Sequence, residues 1–456
     1  MFYDNMKLKR NGKVPLYQQL YDQIKQATAN GALRPGQKLP SIRVLCEDLS
    51  LSRTTVEAAY QQLCVEGYLK AKPQSGYYVL AAGGQKPVKP PILSDTPSAP
   101  FYRYNFGAES VDSDCADLKA WRRHIRDHLN RQEVLIRYGE HQGELPLREA
   151  LRDYTYEARG VICNTEQIVI GAGTQPLLYL LCGLLQGKVG AVSMESPGFL
   201  QAEQVFSDCG IGVIKLSADK NGPKISDLYE SSVRLLYVTP SSRPQSGEPI
   251  PLLRRQELLQ WAKETDGLII EDDYNGELRY RARPIGAMQG MGNGGKVIYL
   301  GSFSKLLLPS VRISYMVLPS ALLPTYLERV GRYNQTASRI EQLALSDYIK
   351  SGQMQRHLRR LRNVYAQKSE LLQQSLKTQF EDFVDISLQE IPLYAVIRLK
   401  NAPSVPRLVE LAAAESVRVL PGQNGTILLS FAGIPQEEIV PAVKALGRAW
   451  NKILYK

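Results

Sequence analysis

At 456 residues the chain is too long for one ordinary domain, and two or three folded units are expected at roughly 100–200 residues each. Hydrophobic residues make up 44% and charged residues 22%, which excludes a disordered chain and supports a large core. The net charge of +11 favours an anionic partner such as nucleic acid, while six cysteines without a CxxC pair argue against a disulfide framework or a zinc site and fit a reducing cytoplasm.

The opening MFYDNMKLKR has no apolar h-region, so no signal peptide is expected. No run of 18 apolar residues follows, so no membrane span is expected either. Residues 15–30 set Leu16, Leu20, Ile24 and Ala27 at helical spacing, with Gly31 as the stop. After the turn RPGQKLP, Ser41 caps a short helix with Ile42, Leu45 and Leu49 inward. Ser52 caps a longer one whose apolar stripe is Val56, Ala59, Tyr60 and Leu63. YLKAK and GYYVL, joined by Pro73-Gln74-Ser75-Gly76, read as a hairpin.

Helix, short helix, turn, helix and hairpin make a winged helix-turn-helix, an α+β unit. In that motif the second helix of the turn sets its N-terminal residues against base edges. Here those are Arg53, Thr54 and Thr55. Arginine bonds guanine in two places, and threonine bonds phosphate or touches the thymine methyl. Arg43 opens the preceding helix as a phosphate clamp, and Ser75 and Gly76 let the wing tip approach the minor groove. The alternative is a small helical bundle with solvated arginines. The first eighty residues hold 11 Lys and Arg against 6 Asp and Glu, so the basic excess concentrates at the front.

Ala81–Pro100 carries five prolines and two glycines in twenty residues. Prolines lack a donor and hold the backbone extended, so the stretch reads as a semi-rigid linker, or else as a long surface loop.

Beyond residue 165, β-branched runs alternate with helical stretches: QIVIG, GAVSME, GVIKL, LLYVT, GLIIE, KVIYLG and VRISYMVL. The alternation predicts an α/β domain with a mostly parallel sheet. Ligands in such sheets bind beyond the carboxyl ends of the strands. Gly173-Thr174-Gln175 opens a helix after the first run, an anion seat of free N–H groups. Phe199 follows the second run, either as a stacking face or as an ordinary core phenylalanine. Glu271-Asp272-Asp273-Tyr274 closes the fifth, as a metal site or a charge anchor. Ser302-Phe303-Ser304-Lys305 closes the sixth, where a desolvated lysine is a Schiff-base candidate and a solvated lysine the bland alternative. A phosphate seat, an aromatic, a carboxylate, a phenol and a lysine on one sheet edge are what pyridoxal 5′-phosphate (PLP) needs.

Two stretches carry family resemblances. KLPSIRVLCEDLSLSRTTVEAAYQQLCVEGYLKAKPQSGYYV closely resembles the DNA-binding domain of GntR-type repressors. That resemblance implies contacts to double-stranded operator DNA from Arg43, Ser52, Arg53, Thr54, Thr55 and Gly76. IEDDYNGELRY and VIYLGSFSKLLLPSVRISYMVLP resemble the fold-type I aminotransferases, and more closely the MocR/GabR-type regulators. IVIGAGTQPLLYLL, ESPGF, VTPSS and RRQELLQWA agree. The resemblance implies a winged helix-turn-helix over 1–80, a linker over 81–104 and an aminotransferase-like domain over 105–456. A smaller C-terminal α+β subdomain begins at about residue 325.

The same resemblance implies Lys305 as the Schiff-base lysine, Asp272 on the pyridine nitrogen and Tyr274 on the ring hydroxyl. It implies Gly173, Thr174, Gln175, Ser302, Ser304 and Arg312 on the phosphate, and Phe199 on the ring face. Tyr138 sits where relatives reach a partner subunit's phosphate, so a head-to-tail homodimer is implied. The expected function is a cytoplasmic, PLP-dependent transcriptional regulator that senses PLP, an amine or an amino acid. The alternative is a working aminotransferase with a DNA-binding appendage. No metal is expected. The family's C-terminal carboxylate-binding arginine is replaced by Leu428, with Arg418 and Gln423 nearby, and Pro244-Gln245 departs from the usual turn.

Overall fold

The computed structural model describes residues 6, 8–10, 14–80, 101–107, 111–112, 117–196, 198–243, 247–291, 295–389, 393–400, 403–422 and 424–454. The linker residues 81–100, Cys115, Pro197, Pro244, Gln245 and Gln423 lie outside them. The chain divides into two compact units, residues 1–99 and 100–456.

The smaller unit runs α1 (Leu16–Ala29), α2 (Ile42–Leu49), α3 (Arg53–Val65), β1 (Leu69–Lys72) and β2 (Gly76–Val79). Both turn helices start where the hydroxyls predict. Ser41 Oγ accepts the Val44 N–H at 3.3 Å, and Ser52 Oγ accepts the Thr55 N–H at 3.2 Å. Such caps satisfy a donor that the helix itself leaves open. Ser50 takes a left-handed conformation (φ 50°) that ends α2 and turns the chain into α3. The stripe Val56, Ala59, Tyr60 and Leu63 is fully buried against Leu20, Ile24 and Leu45. On α1 the buried line is Leu20, Ile24 and Thr28, one position along from the predicted Ala27. Thr28 tolerates this because its hydroxyl donates to the Ile24 carbonyl at 2.9 Å. β1 and β2 pair antiparallel around the wing turn.

In the larger unit, all seven predicted runs form one sheet: β3 (Ile168–Gly171), β4 (Ala191–Glu195), β5 (Gly212–Leu216), β6 (Leu235–Val238), β7 (Leu268–Asp273), β8 (Val297–Ser302) and β9 (Ser314–Val317). Their order is β3-β9-β8-β7-β6-β4-β5. Pairing is parallel except around β9, which runs antiparallel to both β8 and β3. β3, β6 and β9 are buried along their whole length, and β7 along all but its first residue, because helices cover both faces. One face packs against α5 (Thr174–Leu185) and α6 (Leu200–Asp208), through Leu177, Leu181 and Phe206. The other packs in part against α4 (Leu145–Arg159), through Leu147, Leu151 and Tyr154.

The 28-residue helix α7 (Gln353–Phe380) leads to a second, antiparallel sheet of β10 (Val384–Gln389), β11 (Tyr394–Leu399), β12 (Leu420–Pro421) and β13 (Ile427–Ser430), in the order β10-β11-β13-β12. Tyr104, the last linker residue in the sequence reading, already pairs with Val417 in a short parallel ladder. Among the described residues, no helix is long and apolar enough to cross a membrane.

Candidate functional site

In the smaller unit, Arg43, Ser52, Arg53, Thr54, Thr55 and Gly76 all lie at the surface or half-buried. Arg53 Nε donates to Glu57 at 2.7 Å and Arg43 Nε to Glu47 at 3.0 Å. Both guanidiniums are more than four-fifths exposed, so these pairs are weak and yield to a phosphate or base edge. Ser52 Oγ is occupied by capping and by hydroxyl contacts to Thr54 (3.0 Å) and Thr55 (2.7 Å), so it also sets the geometry of the helix start. Gly76 has φ +105°, and a side chain there would press on Lys38.

In the larger unit, the carboxyl ends of the parallel strands converge on one cavity of about 520 Å³. Gly173, Thr174, Gln175, Phe199, Asp272, Tyr274, Ser302, Ser304, Lys305 and Arg312 all line it. Arg312 arrives from the opposite direction. β9 runs antiparallel, with Ser314 opposite Ser302, so the residues before β9 meet the residues after β8. Gly173 caps α5 at φ +100°, and an added Cβ would lie 2.8 Å from Arg312 Nη2. The positive φ favours glycine here, and a side chain would push the Arg312 guanidinium out of its place. The positive end of α5 and the Arg312 guanidinium face the same space, as an anion seat requires.

Alternation along β7 separates its three carboxylates. Asp272 faces the cavity, while Glu271 and Asp273 face the other side of the sheet. Burial pushes Asp272 up to about 6, against the pull of the Tyr237 hydroxyl that donates to its Oδ2. Burial also works to raise Asp273, but the Arg159 guanidinium holds it below the usual carboxylate range through bonds of 2.5 and 3.0 Å. Ser241 and Tyr299 hydroxyls donate to Asp273 as well, each at 2.6 Å. Glu271 is pushed up to about 7 by burial and by Asp273, although the Met288 and Gln289 N–H groups donate to it at 2.8 and 2.9 Å. The three acids thus do not converge on a metal. Among the described residues, no group of three or more His, Cys, Asp and Glu side chains is placed to hold one.

Tyr138 stands apart from the cavity, fully exposed at 104%. Sequence reasoning missed Gln201, Thr239, Ser242, Arg243 and Tyr394 in the lining. Thr239, Ser242 and Arg243 follow β6 and were open to the same strand-end logic. Tyr394 opens β11 of the second sheet, and nothing in its local sequence announces that it reaches this cavity. Neither Arg418 nor Leu428 lines it.

Residues 16–79 match the family of bacterial regulatory proteins, gntR family. The chain is 36% identical to the HTH-type transcriptional regulator YdeL of Bacillus subtilis, over 97% of this chain and 98% of that one. It is 30% identical to the probable rhizopine catabolism regulatory protein MocR of Rhizobium meliloti, over 97% and 95%. The chain belongs to the MocR/GabR-type transcriptional regulators. A further relative is the HTH-type pyridoxine biosynthesis transcriptional regulator PdxR of Corynebacterium glutamicum, 30% identical over 78% of each chain. The larger unit shares its fold with LysN, the α-aminoadipate aminotransferase of Thermus thermophilus, solved with N-(5′-phosphopyridoxyl)-L-leucine. That match has a TM-score of 0.67 and 25% identity, over 77% of this chain and 92% of LysN. This MocR-type chain is thus a DNA-binding transcriptional regulator carrying an aminotransferase-like domain of fold type I.

Proposed function

We propose that this regulator binds PLP in the strand-end cavity, with Lys305 as its covalent anchor, and couples the occupancy of that cavity to DNA binding. The observation that carries the reading is the convergence of ten side chains and backbone groups, drawn from five separate strand ends, on one cavity of about 520 Å³. The donor set fits the group. Thr174 and the start of α5, with Ser302, Ser304 and Arg312, suit a phosphate dianion. Asp272, buried and raised to about 6, suits a protonated ring nitrogen, whose positive charge would draw its pKa back down. Tyr237 fixes the orientation of that carboxyl, and Phe199 offers a ring face at the cavity wall. Bound there, PLP supplies an electrophilic carbon for a primary amine and a ring that withdraws electrons from it.

The effector is accordingly PLP itself or a small molecule with a primary amine, and the name of PdxR is compatible with a vitamin-responsive role. Neither Arg418 nor Leu428 reaches this cavity, so an acid group bound there would have to be held by Arg243, which does line it. In this proposal the chain works in the cytoplasm as a head-to-tail homodimer. Residues 1–80 bind DNA, 81–104 link, and 105–456 sense. An effector shifts DNA binding only by the difference in its affinity for the two states of the dimer.

The test is the visible absorption spectrum of the purified protein with PLP, repeated with candidate amines. A band present in the parent and lost in Lys305→Ala is expected. Amines are expected to shift the band without releasing pyridoxamine phosphate. Accumulation of pyridoxamine phosphate, with recovery on adding a keto acid, would favour the aminotransferase reading. Absence of any band with PLP in excess would overturn the cofactor assignment.

A further inference from the structure

We infer that the segment before α1 is a basic arm that adds a contact to the DNA backbone beside the start of α3, with Arg10 as the contacting side chain. The arm is fixed to the smaller unit along its length. Met6 and Leu8 are half-buried and pack against the core of that unit. One side chain of α1 clamps the Lys9 backbone. The Lys9 N–H donates to Gln19 Oε1 at 2.8 Å, and Gln19 Nε2 donates to the Lys9 carbonyl at 3.1 Å and to the Val14 carbonyl at 2.7 Å. Arg10 Nη2 then donates to the Ser50 carbonyl at 3.0 Å, forty positions along the chain.

That carbonyl decides where the guanidinium is held. Ser50 is the left-handed residue that ends α2. Ser52, two residues on, caps α3, and Arg53 begins it. Two steps of the chain span at most about 7 Å, so Arg10 is tied to the end of the motif that enters the major groove between phosphate backbones. The arm therefore brings a cation from outside the helix-turn-helix to its recognition end.

A carbonyl at a helix C-terminus is a natural seat for arginine, and the bland reading is a pin that holds the turn. Two observations favour more. The Ser50 carbonyl is neutral and engages one of several N–H donors, so it orients the guanidinium without cancelling its charge. The side chain is exposed. The acids at the end of α2 have partners of their own: Glu47 accepts from Arg43 Nε at 3.0 Å, and Asp48 is not free either. A fork already held in place loses less freedom on binding, and its geometry matches phosphate oxygens.

The experiment is fluorescence anisotropy of the full-length protein with an arbitrary-sequence duplex of about 60 bp, between roughly 50 and 200 mM KCl. A phosphate that a variant no longer neutralises lowers the steepness of log K against log[salt] by about 0.9. Arg10→Gln is expected to lose about that much for each smaller unit on the duplex. Its deficit against the parent then narrows about 3.5-fold per unit across this salt range. Arg10→Lys keeps the charge and is expected to keep most of the slope. Lys263→Gln, which removes an exposed cation from the larger unit, is expected to keep the parent slope.

A pin that only holds the turn would weaken binding equally at every salt concentration. An unchanged slope in Arg10→Gln, with or without such weakening, would therefore overturn the proposal. So would an equal loss of slope in Lys263→Gln, which marks general electrostatics, or in Arg10→Lys, which marks a disturbed turn rather than a lost charge.

Discussion

Asp272 shows how one side chain can cost stability and carry function. Its carboxyl sits near 3.8 in the unfolded chain and at about 6 in the fold, because burial disfavours the charge. Between those values the folded protein binds the extra proton. Stability is therefore full below about pH 4 and is lost as pH rises to about 6. The loss is on the order of 3 kcal/mol. We expect Asp272→Asn, studied without added PLP, to be more stable than the parent at pH 7.5 and to show a shallower decline between pH 4 and 6 in urea unfolding. With PLP the order is expected to reverse, since only the carboxylate balances a protonated ring nitrogen. A variant no more stable at pH 7.5 would mean that Asp272 is not strained by burial. Glu271 and Glu277, each pushed up to about 7 by burial and then by Asp273, add the same sign at slightly higher pH, so the parent's decline is expected to extend toward neutrality.

At the scale of elements, the strand ends were legible and their lateral supports were not. Hydrophobic runs bounded by Gly, Ser, Pro and acidic residues marked β3, β4, β6, β7 and β8, and the residues after them line the cavity. The direction of β9 left no trace in VRISYMVL, since an apolar run reads the same either way, yet that direction delivers Arg312. Nothing in the apolar run LLYV marks Tyr237, and only the diagonal neighbourhood of β6 and β7 turns its hydroxyl onto Asp272. Arg159 closes α4, 114 positions from its partner Asp273. This pair fastens α4 to the end of β7 with side chains 1% and 0% exposed. Removing one member of such a pair strands the other's charge in the interior, at a cost of about 3–5 kcal/mol. Arg159→Met is expected to lose that much in urea unfolding, and Arg159→Met/Asp273→Asn to recover most of it. If the double variant is no better than the single one, the cost lies in the packing of the guanidinium rather than in the orphaned charge.

For the whole molecule, the open question is what covers the region around Tyr138. Leu135 is 51% exposed, Ile136 68% and Tyr138 104%. Three large side chains are left bare within four residues, and the proposed homodimer would cover them. It assigns that role to a second copy, and sends Tyr138 of each subunit to the cofactor phosphate of the other. A two-fold arrangement of this kind makes each site depend on both chains, which permits a complementation test. Tyr138→Ala alone is expected to weaken PLP binding, and Lys305→Ala alone to abolish the visible band. In a mixed dimer, the subunit carrying Tyr138→Ala still has its own Lys305, and its partner still has Tyr138, so one of the two sites is whole. Random pairing of co-expressed variants then restores about a quarter of the parent sites, read as tight-binding absorbance in the mixture but in neither variant alone. Recovery would establish that the site is shared between subunits. No recovery, with both variants shown to pair, would place Tyr138 outside the site and leave the cavity residues of a single chain to hold the cofactor unaided.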